Sequence, residues 1–303
     1  MSRIDEALRR VSRAGEPSRP EDGVTLEDYP LEERVPEEGV SHAAQAPQQE
    51  PRSALSSHSA PPDEDQAIEP TNLRLNQKLV SGEGRDATSL EQYRSLAASL
   101  HEAQVQRGLK TVVVTSAVPN EGKTITAVNL ALTFSESYSR RVLLIDADMR
   151  KPSVHEVIGI PNRKGLAEAL RSDRAHLEGL RVSPLLHVLP SGRVDNSPLA
   201  GLSSERMRAL LEEAASRYDW VILDTPPLAL VSDAQLLARL TQAVVFVIRA
   251  GTTPFSVVNK ALDELGRDHV VGIVLNGVDA EAIPATGYYG DYYGESHERS
   301  LIP

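Results

Sequence analysis

The stretch "SAVPNEGKT", residues 116 to 124, decides how the rest of the chain is read. It follows the aliphatic run "LKTVVVTSA" and leads into "TITAVNLALTFSESY", which predicts a strand, a tight loop and a helix in that order. Gly122, Lys123 and Thr124 have the G-K-T order of a phosphate-binding loop. There, backbone N–H groups and a helix N-terminus cradle phosphates, a lysine neutralises the transferring group and a hydroxyl ligates Mg²⁺. Ala117 stands where the general G-x-x-x-x-G-K-T pattern has its first glycine, so an ordinary tight turn before a helix is the competing reading.

Outward from this loop the chain alternates. "SLEQYRSLAASLHEAQ" precedes it as a helix; "RRVLLIDAD", "LLHVLPSG", "DWVILDTPP", "QAVVFVIRAG" and "VVGIVLNGV" read as further strands. Between them "GLAEALR", "SSERMRALLEEAASRY", "SDAQLLARL" and "PFSVVNKALDELG" read as helices. Aliphatic strands separated by helices predict a doubly wound α/β domain whose mainly parallel sheet is covered on both faces, of the P-loop NTPase type. Ligands of such sheets bind beyond the C-terminal ends of the strands. Two strands end there in acids: Asp146 and Asp148 in "LLIDADMRKP", and Asp224 in "VILDTPP". A lone aspartate is commonly a helix cap or a salt-bridge partner. Three at one sheet edge beside a phosphate loop point to a shared Mg–nucleotide site.

The flanks differ from this domain. Of the net charge of −11, residues 1 to 70 contribute 16 acids against 7 bases, and they hold 9 of the 20 prolines. That composition cannot bury enough apolar surface to offset chain entropy, so residues 1–75 are expected to be a disordered acidic segment with no nucleic-acid affinity. Within it "MSRIDEALRRVSR" places Ile4, Ala7, Leu8 and Val11 on one helical face, either a frayed helix or a docking helix. No leader is evident, and the longest apolar runs, such as "VVFVI", fall short of the ~20 residues that span a bilayer, so a cytoplasmic location is expected. The absence of cysteine removes disulfides and thiolate catalysis. At the other end "GYYGDYYGES" holds four of the eight tyrosines, Tyr288, Tyr289, Tyr292 and Tyr293, spaced by glycines that disfavour helix and sheet. The expected division is therefore residues 76–284 as the catalytic domain and 285–303 as a flexible tyrosine-rich tail.

Taken in order, "SAVPNEGKT", "LLIDADMRKPSVH", "GLAEAL", "VILDTPP" with Asp233, and the tyrosine-rich end resemble the bacterial tyrosine kinases of capsular and exopolysaccharide synthesis. The resemblance covers about residues 86 to 296. MinD/ParA-like ATPases, the alternative class of nucleotide-switched proteins without kinase activity, carry a lysine where this chain has Val118 and glycines at Pro119 and Asn120. The resemblance implies an ATP-dependent tyrosine autokinase. Pro119, Asn120, Glu121, Gly122, Lys123, Thr124 and Ile125 would form the nucleotide loop, with Arg150 and Lys151 as a basic flank. Thr124, Asp148 and Asp224 would hold Mg²⁺, Asp146 would accept the tyrosine proton, and the tail tyrosines would be autophosphorylated. Asn276, ending the last strand, is a candidate contact to the base or an ordinary turn asparagine. The family's E-x-x-R-x-x-R ring helix has its counterpart at Glu91 and Arg94, with Ala97 in place of the last arginine. The resemblance further implies a homo-oligomer presenting tails in trans, a tyrosine phosphatase, and a membrane-spanning chain-length regulator that recruits the protein to the inner face of the membrane.

Overall fold

The computed structural model describes residues 79–80, 87–172, 179–193 and 198–278. The segment expected to form an N-terminal helix and the tail tyrosines lie outside the described residues.

Seven strands form one sheet in the order β3-β4-β2-β5-β1-β6-β7. They are β1 (Thr111–Ser116), β2 (Val142–Asp146), β3 (Leu180–Arg181), β4 (Leu186–Leu189), β5 (Trp220–Asp224), β6 (Ala243–Arg249) and β7 (Val270–Asn276). Every pairing is parallel except β3 with β4. The longer helices are α1 (Ala87–Arg107), α2 (Lys123–Glu136), α6 (Glu205–Arg217), α7 (Asp233–Leu240) and α8 (Phe255–Leu265). Three short ones, α3 (Val154–Ile158), α4 (Leu166–Arg171) and α5 (Pro198–Leu202), complete the set. The expected mainly parallel, doubly wound sheet is thus the observed one.

Both faces of the sheet are covered, and the alternation of side chains along a strand explains how. In β1, Val112 and Val114 enter a cluster with Ala127, Leu130 and Phe134 of α2, while Val113 faces the opposite cluster with Leu210 and Leu211 of α6. Strand β2 repeats the division: Val142 and Leu144 go to one side, Leu143 and Ile145 to the other. A third cluster joins Val244, Phe246 and Ile248 of β6 to Val258, Ala261 and Leu262 of α8. Helix α2 runs through the interior, with every residue from Thr126 to Ser135 buried. Its Phe134 stacks on Trp220 at 4.5 Å between ring centroids, anchoring the far end of the helix whose near end bears the phosphate loop. Truncating so buried a ring would cost about 3–5 kcal/mol.

Each α6 and α7 boundary follows local chemistry. Ser204 caps α6, its hydroxyl accepting from the Met207 N–H. Asp233 opens α7, where a carboxylate complements the helix dipole. Two consequences matter for function. Strand β1 sits between β5 and β6, so the loop after it opens at the middle of the sheet edge. Strand β2 lies directly beside β5, which brings the two acid-bearing strand ends together.

Candidate active site

The loop after β1 owes its shape to two residues with positive φ, Asn120 at 64° and Gly122 at 95°. Gly122 precedes α2 as its N-terminal boundary residue, so the first-turn N–H groups of the helix lie without intrahelical acceptors. A Cβ at Gly122 would collide with Nδ2 of Asn276, so glycine is required there for space as well as for φ. Pro119 and Asn120 are exposed on the loop's crest, while Glu121 is 1% exposed.

The Glu121 side chain turns inward, away from the crest. Its Oε2 accepts from the Val118 N–H at 2.8 Å, and its Oε1 accepts from the Arg249 N–H at 3.1 Å and the Thr253 hydroxyl at 2.6 Å. Any part it takes in nucleotide binding falls to its backbone. Asn276 also lies against the loop: Nδ2 donates to the Glu121 carbonyl at 2.8 Å, and Oδ1 accepts from the Gly277 N–H. Both ends of the amide are thereby engaged within the protein.

Facing the loop are the acids. Asp146 and Asp224 are partners in the register of β2 and β5, and both are fully buried. Asp146 Oδ2 accepts from the N–H groups of Ser153 and Val154, each at 3.1 Å; its Oδ1 is buried without a hydrogen-bond partner. Burial, with the neighbouring Asp224 carboxylate adding to it, pushes the Asp146 carboxyl well above the usual range. Burial likewise raises Asp224 to about 7, although Lys123 and the Thr124 hydroxyl pull it down. Thr124 lies beside Asp224 without forming a hydrogen bond of standard geometry, and both Asp224 oxygens are left without a partner. Asp148, also raised by burial, accepts from the Lys151 N–H at 3.0 Å and is drawn down by the charge of Lys123. The charge of Lys123 thus acts on Asp148, just beyond β2, and on Asp224 at the end of β5.

Three buried carboxylate oxygens without donors, a lysine and a threonine hydroxyl suit a cation and a phosphate chain. Among the described residues no three His, Cys, Asp or Glu side chains are grouped to hold a metal by themselves. Thr124, Asp148 and Asp224 are the residues that would hold a Mg²⁺ there, where it would neutralise phosphate charge.

The sequence reading did not identify Ser153, and it named Asp233 only within the family resemblance, without its partner. Ser153 places its hydroxyl 3.0 Å from that of Thr124 while its N–H holds Asp146. Asp233 binds Arg150 through both carboxylate oxygens, at 2.9 and 3.4 Å. The guanidinium of Arg150 is committed to that pair, which raises its pKa. The signal for Asp233 lay in its place at the start of α7 beyond β5; nothing local to "RKPS" marked Ser153 as the hydroxyl beside Thr124.

A strand, a glycine-hinged loop and a helix bearing Lys123 and Thr124, opposite acids on neighbouring parallel strands, define a P-loop nucleoside triphosphatase. Residues 110–258 match a family described as an AAA domain. Tyrosine-protein kinase YwqD of Bacillus subtilis is 37% identical over 221 residues, 72% of this chain and 93% of that one. Tyrosine-protein kinase wzc of Salmonella typhimurium is 34% identical over 72% of this chain, which spans 31% of that relative. Among solved structures, the kinase domain of Escherichia coli tyrosine kinase ETK superposes with a TM-score of 0.62 at 31% identity, covering 68% of this chain and 83% of that one. The chain belongs to the bacterial tyrosine-protein kinase family.

Proposed function

We propose that this protein is an ATP-dependent protein-tyrosine autokinase that regulates the polymerisation or export of an exopolysaccharide or capsule. The observation that carries the reading is the buried pair Asp146 and Asp224 facing Lys123 and Thr124, within a chain of this family. In this assignment Lys123 and the first-turn N–H groups of α2 hold the β- and γ-phosphates, and Thr124, Asp148 and Asp224 hold Mg²⁺. Bound there, Mg²⁺ would supply charge neutralisation for the phosphoryl oxygens. The partnerless Oδ1 of Asp146 takes the proton of a tyrosine hydroxyl as its oxygen bonds to the γ-phosphorus. The bond from that phosphorus to the β–γ bridging oxygen breaks, and ADP departs with the electron pair. Alignment and charge stabilisation supply most of the acceleration in such a transfer.

The acceptors are Tyr288, Tyr289, Tyr292 and Tyr293, presented in trans within a homo-oligomer. Arg94, paired with Glu91 at 3.5 Å, and Tyr138 line a cleft of about 530 Å³ between α1 and the end of α2 that suits subunit packing. No helix among the described residues is long and apolar enough to cross a membrane. We place the protein in the cytoplasm, recruited to the membrane by a membrane-spanning chain-length regulator and reset by a tyrosine phosphatase. The proposed domain spans residues 76–284, with 1–75 and 285–303 flanking it.

Incubation of the purified protein with ATP and Mg²⁺, followed by phosphotyrosine mass spectrometry, tests the assignment. Labelling of the four tail tyrosines, lost in Lys123→Met, is expected. ATP hydrolysis with unmodified tyrosines would instead favour a nucleotide-switched ATPase and end the kinase reading.

A further inference from the structure

The phosphate loop of this chain is held from within. Ala117 replaces the glycine that usually opens such loops, and one of the loop's two left-handed positions falls on a non-glycine residue, Asn120. Asparagine tolerates that conformation better than most side chains, yet something must fix it. The end of β6 and the turn after it supply the fixings: the Arg249 N–H and Thr253 hydroxyl donate to Glu121 Oε1, and the Arg249 guanidinium donates to the Asn120 carbonyl at 3.3 Å. Within the loop, Glu121 Oε2 draws in the Val118 N–H.

All three hydrogen-bond partners of the Glu121 carboxylate among the described residues are donors, and no cation among those residues forms an ion pair with it. A carboxylate beneath an anion-binding loop opposes phosphate binding electrostatically. Its presence makes sense if its geometry is worth more than its charge costs, since an acceptor-only group alone satisfies three convergent donors. A glutamine there would turn an NH₂ group toward at least one of them.

We infer that Glu121 is a positioning residue for phosphoryl transfer, locking the phosphate loop to the segment Arg249 to Thr253 so that Lys123 and the helix amides are set before the nucleotide arrives. Glu121 acts through the loop and touches no reacting atom. The lock makes Thr253, on a segment remote in sequence, a determinant of nucleotide affinity. This inference rests on the phosphate loop being a nucleotide site, and its test reads binding, which is independent of whether tyrosines are phosphorylated.

The experiment compares wild type, Glu121→Gln, Thr253→Val and Thr253→Ser by calorimetric titration with ADP and Mg²⁺, alongside melting of the nucleotide-free proteins. Glu121→Gln and Thr253→Val should weaken binding about tenfold or more, the effect of losing a hydrogen bond to a charged group. Thr253→Ser, which restores the donor, should bind within about twofold of wild type. Where autophosphorylation is measurable, the loss should appear in KM for ATP as well as in kcat. If Glu121→Gln does not fold, the contrast between Thr253→Val and Thr253→Ser decides by itself. Wild-type affinity in folded Thr253→Val, or lowered melting with unchanged affinity, would overturn the inference and leave Glu121 a purely structural acid.

Discussion

Asp146 and Asp224 stand opposite each other in the register of β2 and β5, two buried carboxylates side by side at the edge of the sheet. Such a pair costs the nucleotide-free protein stability, because burial and mutual repulsion disfavour charging either group. The arrangement makes sense as a site built for cations it receives later.

The first prediction follows from the Asp224 carboxyl, raised to about 7. An unfolded aspartate titrates near ~3.9, so between about pH 4 and pH 7 the folded state binds more protons than the unfolded state. Stability attributable to this group is therefore fully present below pH ~4 and declines as pH rises toward 7. Asp224→Asn should stabilise the protein by up to about 4 kcal/mol at pH 7.5 in EDTA, with the advantage gone at pH 4. The same substitution should abolish autophosphorylation. Urea unfolding at the two pH values measures the first effect, and destabilisation at pH 7.5 would refute it.

A second prediction concerns Arg150 and Asp233. The carboxylate is 2% exposed and the guanidinium 46% exposed. Removing the arginine leaves a buried anion, whereas removing both leaves only lost packing. Arg150→Met should cost about 2 kcal/mol, between the values for surface and interior pairs, and Arg150→Met with Asp233→Leu should recover most of it. Chemical denaturation of Arg150→Met, Asp233→Leu and the double variant gives the coupling directly; a double-variant loss equal to the sum of the two single losses would show that the pair contributes nothing.

Much of this architecture was legible because its signals are local. The aliphatic runs ending in Asp146 and Asp224 and the G-K-T order at Gly122 to Thr124 each announce their element within ten residues. What was illegible depends on partners distant in the chain. Glu121 reads as one more loop residue until Arg249 and Thr253, 128 and 132 positions away, are seen to receive its side chain. Asp233 is quoted easily from the sequence, but its pairing with Arg150 spans 83 positions. Asn276 illustrates a middle case: its position ending the last strand made it a candidate contact to the base or a turn asparagine, while its bond to the Glu121 carbonyl required the fold. Strand β3, at two residues, and helix α3, at five, are too short for hydrophobic periodicity to register.

Gly122 gives a third prediction. Its φ of 95° and the closeness of the Asn276 amide leave no room for a Cβ. Gly122→Ala should reduce nucleotide affinity about tenfold or more, since both the backbone and Asn276 must shift. Adding Asn276→Ala relieves the collision but not the dihedral strain, so affinity should return only in part. Full recovery in the double variant would assign the whole effect to sterics; no loss in the single one would refute the argument.

The last prediction concerns the tail, whose sequence carries Asp291 among its four clustered tyrosines and Glu295 and Glu298 after them. Each phosphotyrosine adds about −1.5 to −2 charges, so complete modification adds about −6 to −8. In the proposed trans arrangement an unmodified tail would enter a neighbouring subunit's site, which holds the carboxyl groups of Asp146, Asp148 and Asp224. A fully modified tail meets repulsion from those carboxylates and from bound ATP, and it should leave. The unphosphorylated protein is therefore expected to self-associate and the phosphorylated protein to dissociate, with added salt weakening the difference as it screens exposed charge. Light scattering on the two forms, prepared with Lys123→Met and with ATP-treated wild type, measures this. Equal masses for both forms would remove charge repulsion as the release mechanism.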